Sequence, residues 1–328
     1  MLVEMSRSIF PEHYGQRSLA DWRWCFRQAP EGPADIRVLE SEDRVVGSIA
    51  HVPVAVWIEG RRRRLAIGCD LMIRPEFRGQ GRSQQLVRAF LGAEHAFDVN
   101  FGVVNAGSSH VMGQNAGTVT LGRVTSWIRV RSRGDARASP MRSVATAAAR
   151  LYGGSLSWPR PRLSVEELAL PCPDVDNLAL ESADFASCIR VRDSAYLRWH
   201  WLEQPGGRWR VRGVRDADGG LRGFAVNGCR PDSGSGHRQG VIADLLARDE
   251  ETTRALLLDA WSALVSAGCH SVRCVYRDPR PWSRRAMFRS GFIPRDGPLV
   301  ACGPLSSAAG SEIVHMKSWY LTYGDTDI

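Results

Sequence analysis

Polar turns divide the first 130 residues into segments whose apolar positions repeat with different periods. Residues 19 to 28, Leu-Ala-Asp-Trp-Arg-Trp-Cys-Phe-Arg-Gln, read as a helix that stops before Ala29-Pro30, because a residue preceding proline is pushed out of the helical region. Ile36 to Leu39, Val45 to Ile58 and Leu65 to Ile73 are rich in Val, Ile and Ala and are separated by Ser41-Glu42-Asp43 and Glu59-Gly60. Three strands are predicted there, with Pro53 bending the second or marking an edge. From Ser83 to His95, Leu86, Val87, Phe90 and Leu91 form one apolar stripe at helical spacing. Asp98 to Val104 then reads as a short strand, Ser108 to Leu121 as a glycine-interrupted helix and Ser126 to Val130 as a strand. Together these elements predict an α/β fold with a mixed sheet.

Between about Arg131 and Pro161 the composition shifts to Arg, Ser, Ala, Gly and Pro, with an Ala-rich segment from Val144 to Leu151 that suits a connecting helix. The segment after it repeats the start of the chain. Trp22-Arg23-Trp24 ending at Pro30 parallels Leu197-Arg198-Trp199 ending at Pro205, at one constant offset. Asp43 to Gly47 returns as Gly220 to Phe224, and Gly240 to Leu246 with the helix Thr252 to Ala267 echoes the strand and helix around residue 80. A duplicated fold is the simplest account. Its expected limits are a first domain over 1–133, a linker over 134–160 and a second domain over 161–328. Where the first copy has glycines, the second reads Ala-Arg-Asp-Glu-Glu between Leu246 and Thr252, so the second copy is degenerate.

A chain of 328 residues, 44% of them apolar, suffices for two cores. No run of eighteen apolar residues and no signal-peptide pattern occurs, which predicts a soluble cytoplasmic protein without a membrane partner. The net charge of +8 is carried by arginine, Lys317 being the single lysine, and it is spread along both halves. That distribution disfavours nucleic acid as a partner, and the run Arg61 to Arg64 is expected to be a solvated hairpin tip. Eight scattered cysteines form no Cys-x-x-Cys pair and are read as reduced, mostly buried thiols; no metal site is assigned, His51, His95 and His110 being the weak alternative.

The chemistry concentrates in Arg78-Gly79-Gln80-Gly81-Arg82-Ser83, between a strand and an amphipathic helix. A diphosphate needs several converging backbone N–H groups, glycines let the chain come close, and a helix N-terminus adds its dipole and unpaired amides. Ser83 suits an N-cap. The whole run from Leu71 to Ser83 resembles the acetyl-CoA signature of the GNAT superfamily, the GCN5-related N-acetyltransferases: Arg/Gln-x-x-Gly-x-Gly/Ala after a hydrophobic strand and proline, here with Ser83 at the last small position. With Cys69-Asp70, Asn105, the Tyr-Leu-Arg-Trp segment and the C-terminal Trp-Tyr-Leu-Thr-Tyr-Gly-Asp-Thr-Asp, the chain is similar to bacterial tandem members of that superfamily.

The resemblance implies an N-acyltransferase that uses acetyl-CoA or another acyl-CoA as co-substrate. The acceptor would be a small-molecule amine such as an amino sugar or a natural-product amine. An aminoacyl-tRNA-dependent transferase and a non-catalytic CoA-binding module are the competing classes. The strand before the loop would be splayed from its neighbour, the backbone of Leu71, Met72 and Ile73 holding the pantetheine arm. The family's general acid is commonly a tyrosine four residues before a helix-closing glycine; counting back from Gly122 gives Thr118. Asp70, an acid on an apolar strand, is the candidate general base, Asn105 a candidate for holding the amine or a bridging water, and His110 a substitute acid, with Ser109 beside it. Trp22, Trp24, Trp199, Trp201 and Trp282 are candidates for lining the acceptor cleft.

Overall fold

The computed structural model describes all of the chain except residues 12–14, 16, 93–96, 106–107, 109, 112–117, 132–158, 230–237, 307–310 and 327–328. The linker at 134–160 therefore lies almost wholly outside the described residues, as do Ser109 and His95. Helix α1 (Leu2–Ile9) comes first, and α2 (Leu19–Arg27) is opened by a capping box in which Ser18 accepts from the Asp21 N–H while the Asp21 carboxylate accepts from Ser18. Two tight hairpins follow: β1 (Asp35–Ser41) turns through Glu42 and Asp43 into β2 (Arg44–Ile58), and Glu59-Gly60 leads into β3 (Arg61–Ile73). Both central residues of each turn have positive φ, the geometry that matches strand twist across a two-residue loop. The second turn is so short that Arg61 to Arg64 are not its tip. They are the first residues of β3, paired with Ile58 back to Ala55.

Pro53 sits in a gap on β2, past the last β1 partner at His51 and before the first partner of β7 (Cys188–Arg190) at Val56, so its missing N–H breaks no ladder on that side. Helix α3 (Arg82–Leu91) buries the expected stripe of Leu86, Val87 and Phe90, and β4 (Val99–Val104) follows. Strand β5 (Val119–Val130) starts seven residues ahead of the expected Ser126. Gly122 lies inside it at an irregularity in the pairing and closes no helix, which removes the frame for counting back to Thr118.

The second half contains β6 (Val165–Glu167), α4 (Pro173–Glu181), β7, α5 (Ser194–Leu197), β8 (Trp209–Arg215), β9 (Leu221–Cys229) and β10 (Gln239–Ala247). After these come α6 (Glu250–Ser266), β11 (Ser271–Arg277), α7 (Ser283–Arg289), β12 (Ile293–Pro304) and β13 (Trp319–Thr322). Among the described residues the strands form one sheet, in the order β13-β7-β2-β3-β4-β12-β5-β11-β10-β9-β8-β6, with β1 beside β2. The halves exchange their late strands. β5 leaves the first half to pair with β11, β12 leaves the second to pair with β4, and the two exchanged strands pair with each other from Ile128–Ile293 to Val119–Cys302. Strand β13 pairs with both β7 and β11 and closes the path on itself around the main apolar core, whose members run from Trp24 to Tyr323. No helix among the described residues is long and apolar enough to cross a membrane.

Candidate active site

Strands β3 and β4 run parallel and are paired only at Leu65–Val99, Ala66–Asn100 and Ile67–Phe101. Beyond Ile67 they part, and a cavity of about 440 Å³ opens between them. Small-molecule sites fall in that size range. Leu71, Asp70 and Asn105 line it, together with residues that sequence reasoning missed: His51, Cys69, Asn100, Ser108 and, from the C-terminal end of the chain, Asp325 and Thr326. The splay is what the resemblance implied for this strand.

A β-bulge shapes the β3 wall. Ser48 faces Met72 and Ala50 faces Cys69, so Asp70 and Leu71 together oppose Ile49. Asp70 takes a left-handed backbone, φ +50°, a conformation that costs a residue with a Cβ about 1–2 kcal/mol. Its side chain is 6% exposed; Oδ2 accepts from Arg17 Nη1 at 2.5 Å, and Oδ1 has no hydrogen-bond partner. Strain and an unmet acceptor meet at this one residue, inside a cavity, which makes Asp70 a candidate for chemistry.

The other expected proton movers separate. Asn105 lies on the cavity rim, where its Oδ1 accepts from the Ser108 N–H at 2.9 Å while its own N–H donates to Ser108 Oγ at 2.9 Å. His110 is exposed and does not line the cavity, and His51 is buried with its ring stacked on Phe90. Trp24, Trp199 and Trp201 are core residues, so the expectation that these tryptophans line the cleft is corrected: their indoles are buried, Trp24 and Trp199 bonded to each other's backbone.

Past the end of β3, a 3₁₀ turn at Pro75–Phe77 delivers the glycine loop to α3. Gly81, not Ser83, is the N-cap. It is left-handed at φ +72° and gives the helix no side-chain cap, so the first amides of α3 are left to an outside acceptor. A Cβ on Gly79 would meet nothing within 4 Å, and one on Gly81 only the Gln84 side chain at 4.0 Å. The space over the loop is open, as a bound diphosphate requires. Arg78 Nε donates to the Ile73 carbonyl at 3.1 Å and ties the loop to β3, while Gln80 is exposed and Arg82 and Ser83, the first two residues of the helix, are half-buried. Met72 and Ile73 bury their side chains, Met72 beside Met5 and Val45, Ile73 beside Leu86 and Val87, so only their backbones can serve a ligand.

The second half repeats this ground plan and closes it. Strands β10 and β11 also run parallel, are paired only through Ile242–Cys274, and then part. Four residues before the strand-ending bond from Arg248 N to the Arg222 carbonyl stands Asp244, as Asp70 stands four before the matching bond from Arg74 N to Val46. Asp244 is fully buried and pairs with Arg192 at 2.7 Å, as Asp70 pairs with Arg17. Its oxygens also accept from Tyr196 OH at 2.6 Å, Thr322 Oγ1 at 2.9 Å and Trp201 Nε1 at 3.4 Å, which leaves no valence spare. Burial alone pushes this carboxyl up; the Arg192 charge and these hydrogen bonds outweigh burial and hold it below the usual carboxylate range. β13 enters the splay beside Tyr276 and Arg277, Tyr320 OH donates to the Leu245 carbonyl at 2.5 Å, and Arg280 donates to the carbonyls of Ala247 and Arg248 at 2.8 and 3.3 Å. These carbonyls match those of Leu71, Ile73 and Arg74, so the chain's own side chains occupy in the second half the strand edge beside which the first half has an open cavity.

Residues 1–119 match the family model of the acetyltransferase (GNAT) family. A search of curated protein sequences finds no match. Among solved structures, a GCN5-related N-acetyltransferase from Anabaena variabilis superposes with a TM-score of 0.64 at 15% identity, over 93% of this chain and 70% of that one. A conserved protein of unknown function from Enterococcus faecalis, described as a probable N-acyltransferase, gives 0.62 at 10% identity over 92% and 68%. A GCN5-related N-acetyltransferase from Kribbella flavida gives 0.52 at 17% identity over 81% and 59%. At such identities the likeness is one of fold, and it extends through both halves.

Proposed function

We propose, on the premise that the chain belongs through residues 1–119 to the GNAT superfamily, that its first half is an N-acyltransferase using acetyl-CoA or another acyl-CoA and a small-molecule amine. The observation that carries the reading is the contrast between two aspartates at one position of the repeated fold. Asp244 meets every donor it can use, whereas Asp70, beside an open splay, holds one oxygen in reserve.

In this reading the α3 amides behind Gly79 and Gly81 take the diphosphate and Arg78 adds charge beside it. The backbone of Leu71, Met72 and Ile73 lies along the pantetheine arm. Acyl-CoA supplies the thioester. Asp70 Oδ1 accepts the proton that the acceptor amine must lose in order to attack, and Arg17 fixes the carboxylate so that the reserved oxygen faces the reacting nitrogen. Asn105, on the rim, orients the amine or a bridging water. His110, exposed and off the cavity, takes no part. The second half, whose slot is filled, serves as a partner that completes the sheet and supplies the far wall of the cavity.

The test is release of CoA thiol by the full chain with acetyl-CoA and a panel of amines, the acylated product identified by mass. Amine-dependent release is expected. Failure to bind acetyl-CoA in calorimetry would overturn the proposal.

A further inference from the structure

The cavity carries a second carboxylate, and it comes from the other half. Asp325 closes the turn after β13: its Oδ2 accepts from the Thr322 N–H at 2.8 Å and from Arg192, an arginine with no exposed surface. Arg190 braces the same turn by donating to the Gly324 carbonyl at 2.9 Å. The Asp325 side chain is 4% exposed, and its Oδ1 has no hydrogen-bond partner, Arg190 Nη1 standing 4.0 Å away. Asp70 and Asp325 thus share a cavity and a design. Each gives one oxygen to an arginine, and each keeps an unmet Oδ1.

An acceptor oxygen shut away without a donor costs about 1–3 kcal/mol, a cost removed when a donor reaches it through the cavity. Two such oxygens, one on each half, ask for a ligand with two N–H-bearing groups. Between them the apolar side chains of Ile49, Ile67, Phe101 and Val104 share the walls with the polar His51, Asn100 and Ser108. An amine that also carries a carboxylate would bring a third negative charge to two fixed ones. An aliphatic chain with an amine at each end meets both conditions.

Resting on the acyltransferase reading for its chemistry but not for its binding, we propose that the acceptor site recognises an aliphatic diamine, one nitrogen at Asp70 and the other at Asp325. Asp325 is then the specificity-determining residue. It holds the nitrogen that does not react, while Asp70 serves the one that does.

Calorimetric titration of the full chain with three probes of equal length tests this without turnover: 1,4-diaminobutane, n-butylamine and 4-aminobutanoate. The diamine is expected to bind at least tenfold more tightly than either of the others, with an advantage that shrinks as salt rises. In Asp325→Asn the diamine should lose its advantage over butylamine while acetyl-CoA binding persists. Equal affinities for the three probes in the parent protein, no binding of any, or an undiminished diamine advantage in a folded Asp325→Asn protein would each overturn the inference. Because the first arm uses the unaltered chain, a variant that fails to fold does not shelter the proposal. Failure of acetyl-CoA to bind, with the diamine preference intact, would instead count against the acyltransferase reading alone.

Discussion

The indole of Trp24 donates to the Trp199 carbonyl at 2.6 Å, and the indole of Trp199 returns a bond to the Trp24 carbonyl at 3.0 Å, the two rings stacked with centroids 5.7 Å apart. The partners are separated by 175 residues. That reciprocity is the geometry of a two-fold contact built inside one chain, each residue doing to its counterpart what the counterpart does to it. The same separation relates Arg17 to Arg192, the arginines that hold Asp70 and Asp244, and Ser18 to Asp193, the side chains that cap α2 and α5. The repeat is therefore one of working parts, and its two copies differ where a ligand is concerned.

Replacing either tryptophan by phenylalanine keeps most of the stacked area but removes one donor and leaves a buried carbonyl unmet. Each single change is expected to lower unfolding stability by about 1–3 kcal/mol in urea melts, and the double change by less than the sum, since the pair acts as a unit. Strict additivity would show that the two bonds do not work together.

Asp70→Asn should keep the bulge and the contact with Arg17 while removing the proton acceptor. Turnover of an amine is expected to fall by about 10², the range for a lost general base, with acetyl-CoA affinity little changed. Unchanged turnover at saturating amine would reduce Asp70 to a part of the wall.

Much of this was legible in residues whose local chemistry is self-sufficient. The glycine loop, the α3 stripe and the tryptophan repeat are each written within a few positions, and the 175-residue offset also relates Arg17 to Arg192, the arginines that hold Asp70 and Asp244. What escaped depends on contacts distant in sequence. No periodicity tells β5 and β12 to change places, and without that exchange Gly122 looked like a helix end instead of an irregularity in a strand. Gly81 displaced Ser83 as N-cap because a left-handed backbone, not a side-chain oxygen, ends the loop. Arg61 to Arg64 suggested a turn by their charge, yet two residues of positive φ at Glu59-Gly60 make the turn complete before them. Asp325 stood inside the C-terminal motif, but its place in the cavity did not show, since that depends on how β13 seats between β7 and β11.

Acid should find Asp244. Its folded carboxyl is held below the usual range, so the stability it contributes is complete above the unfolded value of about 3.9 and is lost as pH falls through the folded one. Asp244→Asn leaves Arg192 short of a buried partner and is expected to cost about 3–5 kcal/mol near neutral pH. Below about pH 4 the gap between parent and variant should narrow, because the parent is then losing the same charge. Urea melts at several pH values measure the gap, and a gap independent of pH would show that the charge of Asp244 contributes nothing.

The two strand edges make the last prediction, that the full chain binds one acetyl-CoA. Half-chains are unsuited to the question, because each would lack a strand that the other supplies. Calorimetry on the whole protein should give a single equivalent. Gly81→Val puts a branched side chain at φ +72°, where even a plain Cβ costs about 1–2 kcal/mol, and it projects into the open space over the α3 amides. Affinity should fall at least tenfold, about 1.4 kcal/mol, whatever the ionic strength. Arg78→Ala should also weaken binding, by an amount that diminishes as salt rises, since what it removes is charge. Tyr320→Phe uncovers the Leu245 carbonyl in the second half, yet no glycine loop follows β10, so the stoichiometry should stay at one. If Gly81→Val stays folded by circular dichroism and binds as tightly as the parent, the diphosphate does not lie on this loop. If the parent takes up two equivalents, the second slot is not closed by Tyr320 and Arg280.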